Sequence, residues 1–238
     1  MTTKEKLNPN KTARIAGFLY LAHFVTFFFA DNGVHSTAVG SIDMVTTAQN
    51  IMASEGLFRI GFVNFLLTAV FFFLAAWALY VLLKPVNQDL ALLFVLLNLG
   101  GVAIWCISLL SEFAAMLLLS GADYLKVFQA DQLQALAMLF LNLYQNGFMI
   151  AQMFLNLWLF PLGYLIFKSG FLPRILGILL IIDGFAMLIW FFQFFFFPGY
   201  EVISTIGLAV SFVAEGSLCL WLLIKGVKDE KPASVAAI

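Results

Sequence analysis

The sequence is poor in charged side chains, and this scarcity limits both its fold and its partners. Only 11% of its 238 residues are charged, 63% are hydrophobic, and the formal net charge is -1. Soluble domains average about a quarter charged residues. No basic stripe is present to neutralise phosphates, which excludes nucleic acid as a partner. The mean hydropathy of +1.01 exceeds what a soluble domain of this length can bury, so we expect the lipid bilayer to surround most of the chain.

Cysteine and histidine are equally scarce. Cys106 and Cys219 each lie within an apolar run, where a thiol packs as a small hydrophobic group. They provide neither zinc-ligand spacing nor a disulfide framework. His23 and His35 are the only histidines, and no HExxH motif is present. We therefore expect no metal site and no cofactor.

Long apolar runs dominate what remains. A helix rises 1.5 Å per residue, so about 20 residues cross a hydrocarbon core of about 30 Å. The sequence predicts an all-α fold, an integral membrane bundle of about six transmembrane helices, with Pro161 expected to kink the fourth. The first run lacks a small-residue cleavage site, so we interpret it as an uncleaved helix. The six segments are residues 14–31, 58–83, 90–119, 132–168, 174–197 and 202–225.

The distribution of lysine and arginine predicts the orientation. With the N-terminus inside, the inner segments hold ten of these residues and the outer ones only Arg59 and Lys126. Positive charge favours the cytoplasmic side, so we predict a cell-membrane protein with both termini in the cytoplasm. Residues 1–13 and 226–238 are then cytoplasmic tails and 14–225 is the transmembrane domain. The outer segment 32–56 is either an amphipathic helix on the membrane surface, with Ile42, Val45, Met52 and also Ala48 on one side, or a plain loop.

Polar residues inside the apolar runs are the candidates for function, because they are costly in hydrocarbon. Counting along each helix from its predicted cytoplasmic end places four of them at a depth of about 12 to 15 Å, near the bilayer midplane. A fifth, Asn156, lies at about 18 Å. The four are His23, Asn98, Asp183 and Glu215.

A second polar layer lies near the outer surface. Helical spacing of three and four residues puts many of these side chains on one stripe per helix. Such stripes are expected to face the bundle interior. The sequence therefore predicts a polar pocket that opens to the outside and is closed below by apolar side chains. Its outer mouth would consist of Arg59, Asn64, Glu112, Asn142, Gln145, Asn146 and Gln193.

Asp183 and Glu215 are the most informative of these residues. Burial in hydrocarbon favours the neutral carboxyl unless a cation is paired with it, and His23 is the candidate partner at the same depth. This arrangement suggests proton coupling. The alternative is that the polar residues are hydrogen-bond links between helices, each worth about 0.6 to 2 kcal/mol.

Four stretches together are similar to a known family. The chain resembles the bacterial membrane-protein family known as domain of unknown function DUF4386, over nearly its whole length. The resemblance implies a prokaryotic multi-pass membrane protein and implies no activity. Asn98 stands where members often have an arginine, which weakens the case for that residue. The stretches are ARIAGFLYL at 13–21, TAQNIMASEGLFRIG at 47–61, LYVLLKPVNQDLALL at 79–93 and GYLIFKSGFLPRILGILL at 163–180.

Three functions are compatible with these features. The first is a protein that binds or carries a small solute or lipid, with proton coupling through Asp183 and Glu215. The second is an intramembrane enzyme that uses the two acids as general acid and base, although no nucleophile is evident. The third is a non-catalytic assembly or lipid-sensing subunit. The sequence indicates neither the ligand nor the oligomeric state.

Overall fold

The computed structural model describes residues 8–30, 44–200 and 202–228, and these residues are almost entirely helical, without a β-strand. One 3-10 turn, Asp123–Leu125, lies between the fourth and fifth helices. The prediction of an all-α fold is confirmed for this part of the chain. The helices are α1 (Pro9–Phe28), α2 (Met44–Ala53), α3 (Glu55–Leu83), α4 (Gln88–Leu119), α5 (Ala130–Leu157), α6 (Leu159–Lys168), α7 (Arg174–Phe196) and α8 (Val202–Ile224).

Five helical segments are long and apolar enough to cross a membrane, which fits a multi-pass membrane protein. They are α3, α4, α5 together with α6, α7 and α8. The α5–α6 segment, Ala130–Lys168, is 39 residues long. The first predicted span corresponds to α1, a helix of 20 residues that carries Lys11 and Arg14 and is not among the five. The sixth span and the orientation of the termini therefore stay predictions.

The fourth predicted span is interrupted where Pro161 requires it. Helix α5 ends at Leu157 and α6 begins at Leu159. Proline has no backbone N–H, and its ring clashes with the carbonyl of the residue four positions earlier, which here is Leu157. The sequence predicted a kink at Pro161, and the structure shows an interruption of the helix at Trp158, three residues before this proline.

The described residues form two compact units that divide the long helices between them. The first unit contains the start of α1 up to Leu19, the segment Leu74–Leu97, and everything from Asn156 onward. The second contains Tyr20–Phe73 and Asn98–Leu155.

Glycines allow close helix contacts in the first unit. A Cβ atom on Gly177 would lie 2.4 Å from the backbone oxygen of Gly163, and one on Gly163 would lie 2.7 Å from the oxygen of Gly177. Helices α6 and α7 therefore touch backbone to backbone at this pair. Gly17 of α1 makes a similar approach to Leu223 of α8, where a Cβ would lie 2.8 Å from the backbone nitrogen. Small residues at such crossings are the usual basis of helix packing in lipid.

Aromatic side chains and small residues fill the second unit. Trp105, which is 1% exposed, makes edge contacts with the rings of Phe27, Phe65 and Phe148. Edge-to-face pairs of this kind add about 0.5 to 1.5 kcal/mol beyond the area that they bury.

The outer segment contains the helix α2, which has both buried and exposed side chains. In α2, Ala48 and Ile51 are buried while Met52 is 49% exposed. Ile51 packs into a core with Phe58 and Met116 of the same unit. Ile42 lies outside the described residues, as does the start of the segment. Whether this helix also lies on the outer membrane surface stays a prediction.

Candidate functional site

Helices α7 and α8 of the first unit bring two carboxyl groups together. Asp183 lies near the middle of α7 and is fully buried. Glu215 lies on α8, close enough for its charge to act on Asp183. The two carboxyls that the sequence placed at one depth are therefore neighbours in the fold. No lysine, arginine or histidine occurs on either helix between Arg174 and Lys225 except at those ends.

Ser211 connects the two acids. It lies one turn before Glu215, and its Oγ donates to Glu215 Oε1 at 2.9 Å. Ser211 is also within interaction range of Asp183. A hydroxyl has only one proton to donate, and here it is directed to Glu215. Within the described ranges, both carboxyl oxygens of Asp183 are left without a hydrogen-bond partner.

An ionised Asp183 would be unfavourable in this arrangement. A buried charge is costly unless hydrogen bonds or an opposite charge compensate it. The group beside it is a second carboxyl, so ionisation of both would add repulsion in a medium of low dielectric constant. One proton on the pair removes this repulsion, because only one of the two carboxyls is then charged.

Asn156 lies close to the acid pair but already makes an interhelical hydrogen bond. Its Nδ2 donates to the backbone oxygen of Met187 at 3.1 Å, and its side chain is 1% exposed. Met187 lies one helical turn after Asp183. Asn156 therefore ties its segment to α7 beside the acid pair, which is the linking role that the sequence left open.

Cys219 fixes the position of α8 one turn after Glu215. Its Sγ lies 3.4 Å from the backbone oxygen of Gly17 on α1. Its sequence signal was packing alone, and the structure shows the packing partner. The start of α1, α7 and α8 thus form a rigid frame around the acids within the first unit.

His23 belongs to the second unit. Its Nδ1 lies 3.2 Å from the backbone oxygen of Thr68, so that nitrogen carries the hydrogen and donates it. The imidazole ring stacks on Phe72, with ring centres 4.2 Å apart and planes 15° from parallel. The convergence of His23 with Asp183 and Glu215 on one interior space stays a prediction.

Asn98 is also in the second unit and is fully buried. Neither its Oδ1 nor its Nδ2 has a hydrogen-bond partner among the residues that the structure describes. The indole nitrogen of Trp105, two turns further along α4, also has no hydrogen-bond partner among the described residues. Two buried polar groups on one helix face are thus available to a water or ligand. Helical spacing in the sequence placed Trp105 on the same stripe as Asn98, but only Asn98 was predicted to line the pocket.

The predicted outer-mouth residues are in different surroundings. Arg59 pairs with Glu55 at 2.7 Å on the surface. Asn64 donates to the backbone oxygen of Thr26. Glu112, although close to the predicted outer boundary, is buried.

Three other mouth residues, all on α5, are exposed. They are Asn142, Gln145 and Asn146, and Asn146 donates to the oxygen of Asn142 at 2.8 Å. Gln193 belongs to the first unit, where it is buried and donates to the oxygen of Phe197 at 3.0 Å. The structure brings Asn142 and Asn146 together, and several of the mouth residues are occupied by bonds to the backbone.

Comparison with known proteins supports the family resemblance. A family model described as a domain of unknown function (DUF4386) matches residues 15–226, which include both acids and His23. A protein from Archaeoglobus fulgidus, described as uncharacterized, is 30% identical over 153 residues. The matched region covers 64% of this chain and 75% of that protein. No solved structure matches.

Proposed function

The chain belongs to the family described as a domain of unknown function (DUF4386), and from its own residues we propose that it is a proton-coupled membrane carrier. In this proposal Asp183 and Glu215 hold one exchangeable proton, and its loss or gain accompanies the movement of a small solute or lipid. The main support for this proposal is the carboxyl of Asp183. It is buried, has no described hydrogen-bond donor and lies beside a second carboxyl.

The proposed topology has α1 as a sixth span. Its apolar run continues to Ala30, beyond the last residue of the helix. Three helix ends support cytoplasmic termini, because each places an aromatic ring and a lysine one turn apart, as at Tyr80 and Lys84, where Nζ lies 5.6 Å from the ring centre. Lysines at that position extend toward the headgroups. We therefore propose the cell membrane as the location, with both ends of the chain in the cytoplasm.

Proton exchange at the acid pair provides a physical means of changing helix packing. With one proton on the pair, only one of the two carboxyls is charged, and α7 and α8 can stay packed. Without it, two like charges face each other in a medium of low dielectric constant, which favours separation of the helices or entry of water. A carrier needs two arrangements of this kind whose populations a ligand or proton can shift. A hydrogen bond that only holds two helices together needs a single arrangement of those helices.

His23 and Asn98, both in the second unit, are further candidates for binding a proton or a ligand. Asn98 supports the proposal because it is buried with unused donors and acceptors. His23 supports it less directly, since its described hydrogen bond goes to a backbone carbonyl. Proton transport by His23→Phe, a variant that keeps the aromatic stack, distinguishes the two roles of His23. Loss of transport would indicate a functional imidazole, and unchanged transport would indicate packing alone.

Proton transport in lipid vesicles tests the carrier. Purified full-length protein is reconstituted with a trapped pH-sensitive dye, and proton entry is followed under an imposed membrane potential with and without candidate solutes. We expect flux from the wild type and loss of flux from Asp183→Asn and Glu215→Gln. Asp131→Asn is the matched control, because this exposed carboxyl lies at the start of α5. Wild-type vesicles as tight as empty ones, or equal flux from every variant, would remove transport.

A second candidate function, assembly with another copy of the chain, is favoured by α5. Asn142, Gln145 and Asn146 are exposed on one side of an apolar segment that is long enough to span the membrane. Amide side chains facing lipid are unfavourable, and pairing with a neighbouring helix removes that cost. Gln145→Cys should cross-link between copies in membranes, whereas Ala151→Cys, buried on the opposite side of the same helix, should not. Absence of any cross-link would contradict assembly through this face.

A further inference from the structure

A cavity lies away from the acid pair, between the beginning of α1 and the end of α8. It is an open groove of about 740 Å³ within the first unit. Three of its lining residues are cations, Lys11 and Arg14 from α1 and Lys225 from α8. None of the described residues that line it is acidic.

Rigid contacts hold the two sides of this groove in place. Asn10 Oδ1 accepts a hydrogen bond from the backbone nitrogen of Val227 at 2.9 Å. Gly226, with φ of +66°, turns the chain at the end of α8 so that this bond can form, and its own nitrogen donates to Trp221. The close contact between Gly17 and Leu223 holds the helices together just beyond. The spacing between the α1 cations and Lys225 is therefore set by the fold.

The three positive charges in the groove favour binding of an anion. Lys11 and Arg14 are three residues apart, so they lie on one face of α1. The ion pairs found in the described ranges are those of Arg59 and Lys126, and neither includes a groove cation. Arginine binds phosphate oxygens through two parallel N–H donors, and lysine adds a point charge. Three cations around an open groove provide this chemistry for one phosphate.

The lining below the cations is apolar and favours a lipid over free phosphate. Ile15 and Phe18 follow Arg14 on the same helix and are 45% and 62% exposed. Phe18 lies about 6 Å further along the axis. This order, a phosphate-binding end followed by an exposed hydrocarbon surface, matches the order of groups in a phospholipid. A free phosphate would use the first part only.

We propose that this groove binds an anionic phospholipid, with its phosphate among Lys11, Arg14 and Lys225 and an acyl chain along Ile15 and Phe18. In the orientation proposed above, the lipid belongs to the cytoplasmic leaflet. The site is separate from Asp183 and Glu215 and does not rest on proton coupling.

Lipid titration of the purified full-length protein tests the site. Delipidated protein in a neutral detergent is titrated with short-chain phosphatidylglycerol, with phosphatidylcholine of the same chain length, and with inorganic phosphate, and binding is measured by native mass spectrometry and thermal unfolding. We expect phosphatidylglycerol to bind at least about tenfold more tightly than phosphatidylcholine, because both carry the phosphate but the three groove cations repel the choline cation. Inorganic phosphate alone should bind weakly.

Variants identify the groove as the place of binding. Arg14→Gln and Lys225→Gln should each weaken phosphatidylglycerol binding by about tenfold. Both residues are exposed, so folding should be unaffected. Lys84→Gln is the matched control, because Lys84 is an exposed cation at another helix end of the same unit. Equal affinity for the two lipids, equal weakening by all three variants, or tight binding of inorganic phosphate without lipid preference would each overturn the proposal.

Discussion

Replacement of Asp183 by asparagine distinguishes a proton-binding acid from a structural hydrogen bond between helices. The variant keeps the shape of the side chain and removes its capacity to ionise. Asp183 has no described donor, so little is lost, and the repulsion between its charge and that of Glu215 is removed. Relief of an unsatisfied buried polar group is worth about 1 to 3 kcal/mol in proteins. We expect the free energy of unfolding to stay unchanged or to rise by up to about 3 kcal/mol.

Asn156→Leu provides the comparison for a structural link, because it removes the 3.1 Å hydrogen bond to Met187. It should lower the free energy of unfolding by about 0.6 to 2 kcal/mol. Both variants are measured by reversible unfolding in lipid bicelles, alongside proton transport in vesicles. If Asp183→Asn lost as much stability as Asn156→Leu while transport was retained, Asp183 would be a structural link and the proposed site would be refuted.

Three further changes test the packing that supports both sites. Gly177→Ala should lower the free energy of unfolding by about 1 to 3 kcal/mol, because a methyl group there would meet the backbone of α6. Gly216→Ala is the control and should be neutral or stabilising, because open space surrounds this glycine. Equal effects of the two substitutions would contradict the close contact at Gly177. His23→Phe should change bicelle stability by less than about 1 kcal/mol, since the ring stack is retained, and a larger loss would show that the hydrogen bond matters more than the stack. Asn10→Ala should cost about 1 to 3 kcal/mol, because it leaves the nitrogen of Val227 unsatisfied, and unchanged hydrogen exchange at that amide would contradict the role.

Features that depend on local chemistry could be predicted from the sequence. The interruption before Pro161 follows from the missing N–H of proline, and the long apolar segments follow from composition alone. Counting residues along α7 and α8 placed Asp183 and Glu215 at one depth, and the structure brings them together. In each case the prediction uses the residues of one helix, or compares the depths of two residues counted along their own helices.

Features that depend on packing between distant segments could not be predicted. The buried face of α2 is set by Phe58 and Met116, which lie elsewhere in the sequence. For the basic groove, the sequence indicated only that positive charges lie near both ends of the chain, and not that they line one cavity. Its shape depends on the hydrogen bond from Val227 to Asn10, across 217 positions of sequence. Periodicity along one helix contains no information about such contacts.

The central claim is that Asp183 and Glu215 share one proton, and infrared difference spectroscopy tests it most directly. The carbonyl stretch of a protonated carboxyl is recorded for the wild type, Asp183→Asn, Glu215→Gln and the control Asp131→Asn in lipid. We predict a protonated-carboxyl band in the wild type and the control that is lost or shifted in both site variants. A spectrum in which both acids are ionised, or a band that neither site variant alters, would contradict the shared proton and the carrier function built on it.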